Sequence, residues 1–135
     1  MQERRFSADL KVKIPGGHPG LYGQMIAMPA ERLRALPDPD TFAARTHGLP
    51  LALEAPAQVE VMYFEPHARL DEHSAPHAIL LCVIEGAGTL RLGGPAGEAR
   101  TLRAGDAVIW PPDVDHTVWT DGTPLTAFVV NFFTG

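Results

Sequence analysis

Residues 66–86 have the sequence PHARLDEHSAPHAILLCVIEG, in which a histidine-bearing turn separates two β-type segments. The apolar run at 78–85 predicts one strand, and residues 68–73 predict a shorter strand before it. Pro76 interrupts the pattern in the way typical of a hairpin turn. Because side chains alternate between the faces of a strand, His73 and His77 can project from this hairpin into one interior.

A second informative stretch, residues 105–120, has the sequence GDAVIWPPDVDHTVWT. It predicts a strand at 107–110, a Pro-rich turn, and a further strand beginning at His116. Comparable runs separated by turn sequences predict the remaining strands, at 51–54, 58–65, 88–92, 100–102 and 126–133. Glu85-Gly-Ala-Gly88 is predicted to be a turn. His73 and His116 would meet only if these strands close into a barrel.

Both stretches resemble the two sequence motifs of the cupin family, G-x5-H-x-H-x3-E-x6-G and G-x5-P-x-G-x2-H-x3-N, without a gap. The motif positions that match are His73, Gly86, Gly105, Pro111 and His116. The motif positions that differ are occupied by His67, Ala75, Ile79, Asp113 and Thr120. The resemblance covers about residues 56–133. It implies an all-β jelly-roll barrel, also called a double-stranded β-helix.

The resemblance also implies one divalent metal ion held by three histidines and a carboxylate. Ala75 and Ile79 cannot ligate a metal. His77 has the strand parity of Ile79 and can take the place left by Ala75, which predicts a site formed by His73, His77 and His116. Without the anionic ligand, Zn, Fe, Ni or Cu is expected in preference to a harder ion such as manganese. Such an ion would serve water activation, isomerisation, cyclisation or dioxygen chemistry, and the residues leave this choice open.

The surroundings of these histidines suit a small organic molecule. Ala75, Ile79 and Leu81 are expected to line an apolar pocket for a hydrophobic or aromatic ligand. Asp71 and Glu72 are neighbouring carboxylates that would either ligate the metal or orient an imidazole.

Two alternatives remain open at this point. In the first, the barrel is metal-free and its histidines bind or sense an organic molecule without catalysis. In the second, His77 faces solvent, because a one-residue bulge would flip its side chain. The other histidines, His18, His47 and His67, are interpreted as loop residues, and the tryptophans Trp110 and Trp119 as anchors of the core or of an interface.

Residues 1–50 differ from the rest and are interpreted as an N-terminal arm of loop, short strand and short helix, preceding a barrel domain at 51–135. The strand is predicted at 24–28, a helix at 29–36 and a helical turn near 40–48. In the strand at 78–85 the positions facing away from the barrel are also apolar, which predicts that the arm or a second subunit covers them. The resemblance implies a homodimer as a common arrangement.

Composition excludes several classes of function. The chain has 135 residues and a net charge of −5, and the acidic balance lies in residues 46–135, so a nucleic acid partner is not expected. The single cysteine, Cys82, cannot form an intrachain disulfide or a thiolate metal site. No uncharged apolar stretch approaches the ~20 residues of a membrane span, and the first residues lack the apolar run of a secretory signal, so a cytoplasmic protein without a membrane partner is expected.

Overall fold

The computed structural model of the protein describes residues 5–29, 31, 51–53 and 57–133. Its elements are a 3-10 helix at Ala8–Leu10 and the strands β1 Val12–Lys13, β2 Leu21–Pro29, β3 Leu51–Leu53, β4 Ala57–Phe64, β5 Arg69–His73, β6 Ala78–Leu92, β7 Ala99–Arg103, β8 Ala107–Trp110, β9 His116–Trp119 and β10 Leu125–Phe132. Within these ranges no helix is long and apolar enough to cross a membrane.

The strands form one curled sheet in the order β1-β2-β4-β10-β6-β9-β5, in which β7 and β8 also pair with β6. Strand β6 connects the two halves of the sheet. Its first half pairs with β8 and β10, and its second half pairs with β7 and β9. All of these pairings are antiparallel. The prediction of an all-β barrel is therefore confirmed.

The predicted turn at 85–88 is wrong, because β6 runs through it as one strand of 15 residues. Gly86 has a φ of +86°, and the pairing of β6 with β10 shifts register close to it, between Thr126 and Ala127, which marks a β-bulge. A Cβ atom at residue 86 would collide with the carbonyl oxygen of Pro124. The glycine therefore bends the strand from one sheet half into the other, where the sequence pattern suggested that the chain reverses.

Alternation along the strands separates the barrel interior from the outer face. On β10 the inward positions are Leu125, Ala127, Val129 and Asn131, of which the first three belong to the apolar core. The most deeply buried apolar members of this core are Leu21, Leu81, Val118, Ala127, Phe64, Leu90, Trp110, Leu125 and Val129. The interior is therefore apolar over most of its length.

The N-terminal residues take part in the sheet. The strand predicted at 24–28 is present within β2, which pairs with β4 along its length. Ser7 donates its backbone N–H to the Gln24 side chain, and the ring of Phe6 packs edge-on against Phe128 at 5.2 Å, so residues 5–10 cover part of the outer face. The prediction of a helix at 29–36 is wrong at its first residue, because Pro29 is the last residue of β2. The rest of that helix, apart from residue 31, and the predicted helical turn lie outside the described residues, and the division of the chain at residue 50 stays a prediction.

Part of the outer face remains exposed. The side chains of Ile84 and Ile109 are 43% and 64% exposed. Ile109 lies on β8 beside Leu80 of β6, on the face opposite the core. The apolar outer surface that the sequence predicted is thus present, and the homodimer stays a prediction.

Two loops place non-glycine residues in the left-handed conformation at the positions where the cupin motifs have glycine. His67 has a φ of 59° and Asp113 a φ of 62°. The Asp113 N–H donates to the carbonyl of Ala75 at 2.7 Å, so the loop after β8 is tied to the turn between β5 and β6. Thr120, at the asparagine position, accepts the N–H of Ala68. The loops keep the backbone that the motifs require although the residues differ.

Candidate ligand-binding site at the histidine end of the barrel

His73 and His116 are direct cross-strand partners in β5 and β9. Their ring centroids are 4.6 Å apart in an edge-on arrangement. His116 is 1% exposed, whereas His73 is exposed at the rim. The structure therefore brings together two imidazoles that are distant in the sequence, one inside the barrel and one at its opening.

Backbone carbonyls determine which nitrogen of each ring carries the proton. The Nδ1 atom of His73 lies 2.7 Å from the carbonyl oxygen of Asp71, and that of His116 lies 3.2 Å from the carbonyl oxygen of Val114. Because a carbonyl oxygen only accepts, each Nδ1 donates, and each Nε2 of a neutral ring keeps its lone pair. The Nε2 atom of His116 is buried and has no hydrogen-bond partner among the described residues.

His116 is neutral at physiological pH. Burial lowers its pKa to about 4, and the neighbouring His73 acts in the same direction. The Val114 carbonyl and the charge of Asp115 oppose this shift in pKa. Neutral His116 therefore presents Nε2 as an acceptor or as a metal ligand.

A row of inward-facing residues continues from His116 across the barrel. The Trp110 ring stacks on His116 with centroids 4.0 Å apart and planes inclined by 17°. The row consists of successive cross-strand pairs. Trp110 lies opposite Ile79, Ile79 lies opposite Asn131, and Asn131 lies opposite Gln58. Trp110 Nε1 and Gln58 Oε1 are buried without a hydrogen-bond partner in the described part of the chain. This end of the interior thus contains polar atoms that a bound ligand or water would satisfy.

His77, predicted as the third metal ligand, makes other contacts. Its Nε2 atom lies 3.1 Å from Oδ1 of Asn131, and its ring lies 4.4 Å from that of Phe133. The amide oxygen of Asn131 accepts, so Nε2 of His77 donates there. The three-histidine site stays a prediction, and while this contact lasts the neutral ring of His77 has its lone pair on Nδ1.

Asn131 also bonds Glu60, a carboxyl group buried in the barrel interior. Burial raises the pKa of Glu60 to about 7, although the hydrogen bond from Asn131 opposes the shift. Glu60, Asn131 and His77 therefore form a connected polar group at the histidine end.

Asp71 contacts the site through both its peptide groups and its side chain. Its carbonyl accepts from His73, while its N–H donates to Nδ1 of His18 at 2.8 Å. Its carboxylate accepts from the backbone N–H of His18 at 2.9 Å and from Arg69 at 2.7 Å, and these hydrogen bonds hold the pKa of Asp71 below its usual range. The rings of His18 and His73 are thus held by the backbone of Asp71, and the predicted role of its carboxylate toward a metal or an imidazole stays a prediction. Glu72 pairs instead with Arg91 at 3.1 Å.

The residues predicted to line an apolar pocket all lie on the core side. Ile79 and Leu81 belong to the apolar core of the interior, and Ala75 packs against it. Ile79 separates Trp110 from Asn131 in the row that crosses the barrel. Any ligand at this end would contact apolar walls between polar atoms.

Two residues of this site, His73 and His116, are suited to bind a divalent metal ion. His73 and His116 both donate through Nδ1 to a backbone carbonyl, the arrangement usual for metal-bound histidines, and both leave Nε2 free. Across the described ranges, no group of three or more His, Cys, Asp or Glu side chains could hold a metal ion. The residues present therefore match two ligands of a Zn, Fe, Ni or Cu ion but not the usual three.

A groove lies on the outer face of the barrel, away from His73 and His116. It has a volume of about 470 Å³ and is lined by residues that include Arg69, Arg91 and Trp119. The guanidinium of Arg91 lies 5.9 Å from the Trp119 ring centroid. This groove contains neither His73 nor His116.

Sequence reasoning missed two residues of the site. Glu60 carried a usable signal, because it shares its strand parity with Met62 and Phe64, and a carboxylate on an apolar face is unusual. His18 carried none. It lies in a Gly- and Pro-rich loop, and its ring reaches within 5.8 Å of the His73 ring only in the folded chain.

Comparisons with known proteins agree with this architecture. A family model described as a cupin domain matches residues 60–131, more than half of the chain. A search of curated proteins finds no match.

Similar solved structures include the polyketide cyclase RemF from Streptomyces resistomycificus, with 15% identity, a TM-score of 0.69, and coverage of 99% of this chain and 81% of that one. KdgF from a Halomonas species has 16% identity, a TM-score of 0.64, and coverage of 98% and 96%. A cupin-like protein from Thermotoga maritima has 23% identity, a TM-score of 0.63, and coverage of 84% and 69%. These likenesses show the fold, and together with the family match they establish that the chain belongs to the cupin family.

Proposed function

We propose that this cupin binds a small, largely apolar organic molecule at the histidine end of its barrel, with His73 and His116 as the polar contacts. The observation that carries the proposal is the buried Nε2 atom of His116, which has no hydrogen-bond partner among the described residues. Leaving such an atom unsatisfied costs about 1–3 kcal/mol, a cost that a ligand hydroxyl donating to it would offset.

The surrounding side chains favour an aromatic or other planar apolar ligand. Trp110 is stacked on His116, and Ile79 lies beside Trp110. A site with apolar walls and a few placed polar atoms is typical of small-molecule pockets. The exposure of His73 at the rim supplies the entry route.

A divalent metal is the second candidate, favoured by the two free Nε2 lone pairs of His73 and His116. If bound, the ion would act as a Lewis acid that polarises an oxygen of the organic ligand. The chain's own residues would hold it by two imidazoles and leave most coordination positions open. The residues favour the organic ligand over the metal, because the described part of the chain offers no group of three His, Cys, Asp or Glu side chains that could hold an ion.

The experiment uses protein purified without a polyhistidine tag and treated with a chelator. Calorimetric binding and thermal shift are measured with a panel of monosubstituted phenols that includes 3-ethylphenol, and separately with Zn, Fe, Ni and Cu ions. The variant His116→Phe removes the acceptor while keeping a flat buried ring, and His67→Phe is the matched control in a loop.

Binding of a phenol by the wild type and by His67→Phe, weakened about tenfold in His116→Phe, supports the proposal. If every phenol binds His116→Phe as well as the wild type, or none binds at all, the organic site is refuted. Near one ion per chain, lost in His116→Phe and in His73→Ala, would establish the metal candidate instead.

A further inference from the structure

The loop before β2 contributes a third imidazole to the site. The ring centroid of His18 lies 5.8 Å from that of His73, which is itself 4.6 Å from that of His116. No family match covers this loop, since the match to the cupin family begins at residue 60. The side chain of His18 is 18% exposed, so it is largely enclosed where it meets the rim.

Several contacts hold the loop in place. The Lys13 ammonium donates to the carbonyls of Ile14, Gly17 and His18 at 2.7–2.9 Å. Gly17 has a φ of +103°, and a Cβ atom there would press against the Asp71 carboxylate. His18 itself has a φ of 52°, a conformation that asparagine, aspartate and histidine adopt more readily than most residues. The ring of His18 is therefore held in a defined position.

The backbone N–H and the backbone carbonyl of Asp71 give His18 and His73 opposite hydrogen-bonding roles at Nε2. Its N–H donates to Nδ1 of His18 at 2.8 Å, so the neutral His18 ring carries its proton on Nε2. The carbonyl of the same residue accepts from Nδ1 of His73 at 2.7 Å, so the neutral His73 ring keeps a lone pair on Nε2. His18 Nε2 and His73 Nε2 make no hydrogen bond to another described residue. The rim thus presents one donor beside one acceptor, with the second acceptor on His116 behind them.

We propose that His18 is a specificity-determining residue, whose Nε2–H donates to a carbonyl oxygen of a ligand whose hydroxyl donates to His73 or His116. This inference rests on the proposed function, because it concerns the same site. It names the ligand class as a hydroxy-carbonyl compound, or the enol of a dicarbonyl. Because the Nδ1 lone pair of His18 is already used by Asp71 and Nε2 carries the proton, His18 acts as a donor and not as a metal ligand.

Asparagine at residue 18 offers a sharp test. Its Oδ1 atom can accept the Asp71 N–H as Nδ1 of histidine does, and asparagine tolerates the positive φ, whereas the donor at Nε2 is lost. The matched control is His67→Asn, which makes the same substitution at another loop histidine with a φ of 59°.

Two probes of similar shape isolate the carbonyl contact. The compound 3′-hydroxyacetophenone has a hydroxyl and a carbonyl that are too far apart on the ring to bond each other, and 3-ethylphenol lacks only the carbonyl oxygen. We expect the wild type and His67→Asn to bind the hydroxy-ketone about tenfold more tightly than the phenol. In His18→Asn this preference should disappear, while the affinity for 3-ethylphenol stays within about twofold.

The protonation pattern is measured separately, by two-bond 15N–1H NMR on histidine-labelled protein without ligand. The expected pattern is a proton on Nε2 of His18 and on Nδ1 of His73 and His116. A proton on Nδ1 of His18, or an unchanged preference in His18→Asn, overturns this inference even if 3-ethylphenol binds. Failure of both probes to bind the wild type overturns the proposed function and the inference with it.

Discussion

At one end of the barrel interior, Leu21, Phe64 and Leu125 are cross-strand neighbours, and each is at most 1% exposed. At the other end the strands that carry Phe64 and Leu125 present Gln58 and Asn131 to the same interior. The first end packs these side chains by apolar contact. The second end contains buried polar atoms without partners in the described structure. The difference is the one expected if the apolar end stabilises the barrel and the proposed ligand binds at the polar end.

The largest effect is expected at the apolar end. Phe64→Ala removes a ring that is 1% exposed and should lower the free energy of unfolding by about 3–5 kcal/mol, measured by urea denaturation. His73→Ala, at the exposed rim, is the comparison and should change it by less than about 1 kcal/mol. Equal losses in both variants would mean that the two ends do not differ in this way.

Glu60 should make stability fall as pH rises. Its pKa is about 7 in the folded chain, whereas the ordinary pKa of a glutamate that the unfolded chain exposes is 4.5, so between these values the unfolded chain binds fewer protons than the folded one. Stability should therefore be greater below pH 4.5 and be reduced, on the order of 3 kcal/mol, once the pH passes 7. The effect is measured as the difference in free energy of unfolding between the wild type and Glu60→Gln, obtained by urea denaturation at pH values from 4.5 to above 7. Glu65→Gln, on an exposed neighbour, should follow the wild type.

His116 should have the opposite effect and make stability fall as the pH falls. Its pKa is about 4 in the folded chain, against the ordinary histidine value of 6.5 once unfolded, so the unfolded chain gains the proton first as pH falls, and stability should decrease from pH 6.5 towards 4. His116→Phe should abolish this decrease. At pH 7 it should change the free energy of unfolding by only about 1 kcal/mol, since an apolar ring replaces an unpartnered polar one. A loss of several kcal/mol at pH 7 would show that His116 is a structural residue.

The smallest effect is expected in the loop that ties the two histidine-bearing segments. Asp113 has a φ of 62°, a conformation that costs less for glycine than for aspartate. Asp113→Gly keeps the backbone hydrogen bond to Ala75, so it should raise the free energy of unfolding by up to about 1 kcal/mol. Asp115→Gly, two residues further on, gains no such relief and is the control. A higher thermal unfolding midpoint for Asp115→Gly than for Asp113→Gly would contradict the left-handed conformation of this loop.

Strand alternation and turn chemistry are local properties of the sequence and were sufficient to predict most strands. The resemblance to the cupin motifs predicted that these strands close into a barrel in which His73 meets His116. It could not predict that Gly86 bends a continuous strand, since a turn and a bulge use the same glycine. Nor could it place His18, whose ring is oriented by a hydrogen bond to a residue far along the chain. Contacts of that kind exist only after the sheet has closed.

A crystal structure of the complex with 3′-hydroxyacetophenone would decide whether the histidine end is the binding site. We predict the probe at that end, with its hydroxyl within hydrogen-bond distance of Nε2 of His73 or His116 and its ring beside Trp110. A probe found instead in the outer groove between Arg69 and Trp119, with both Nε2 atoms left in water, would contradict this assignment.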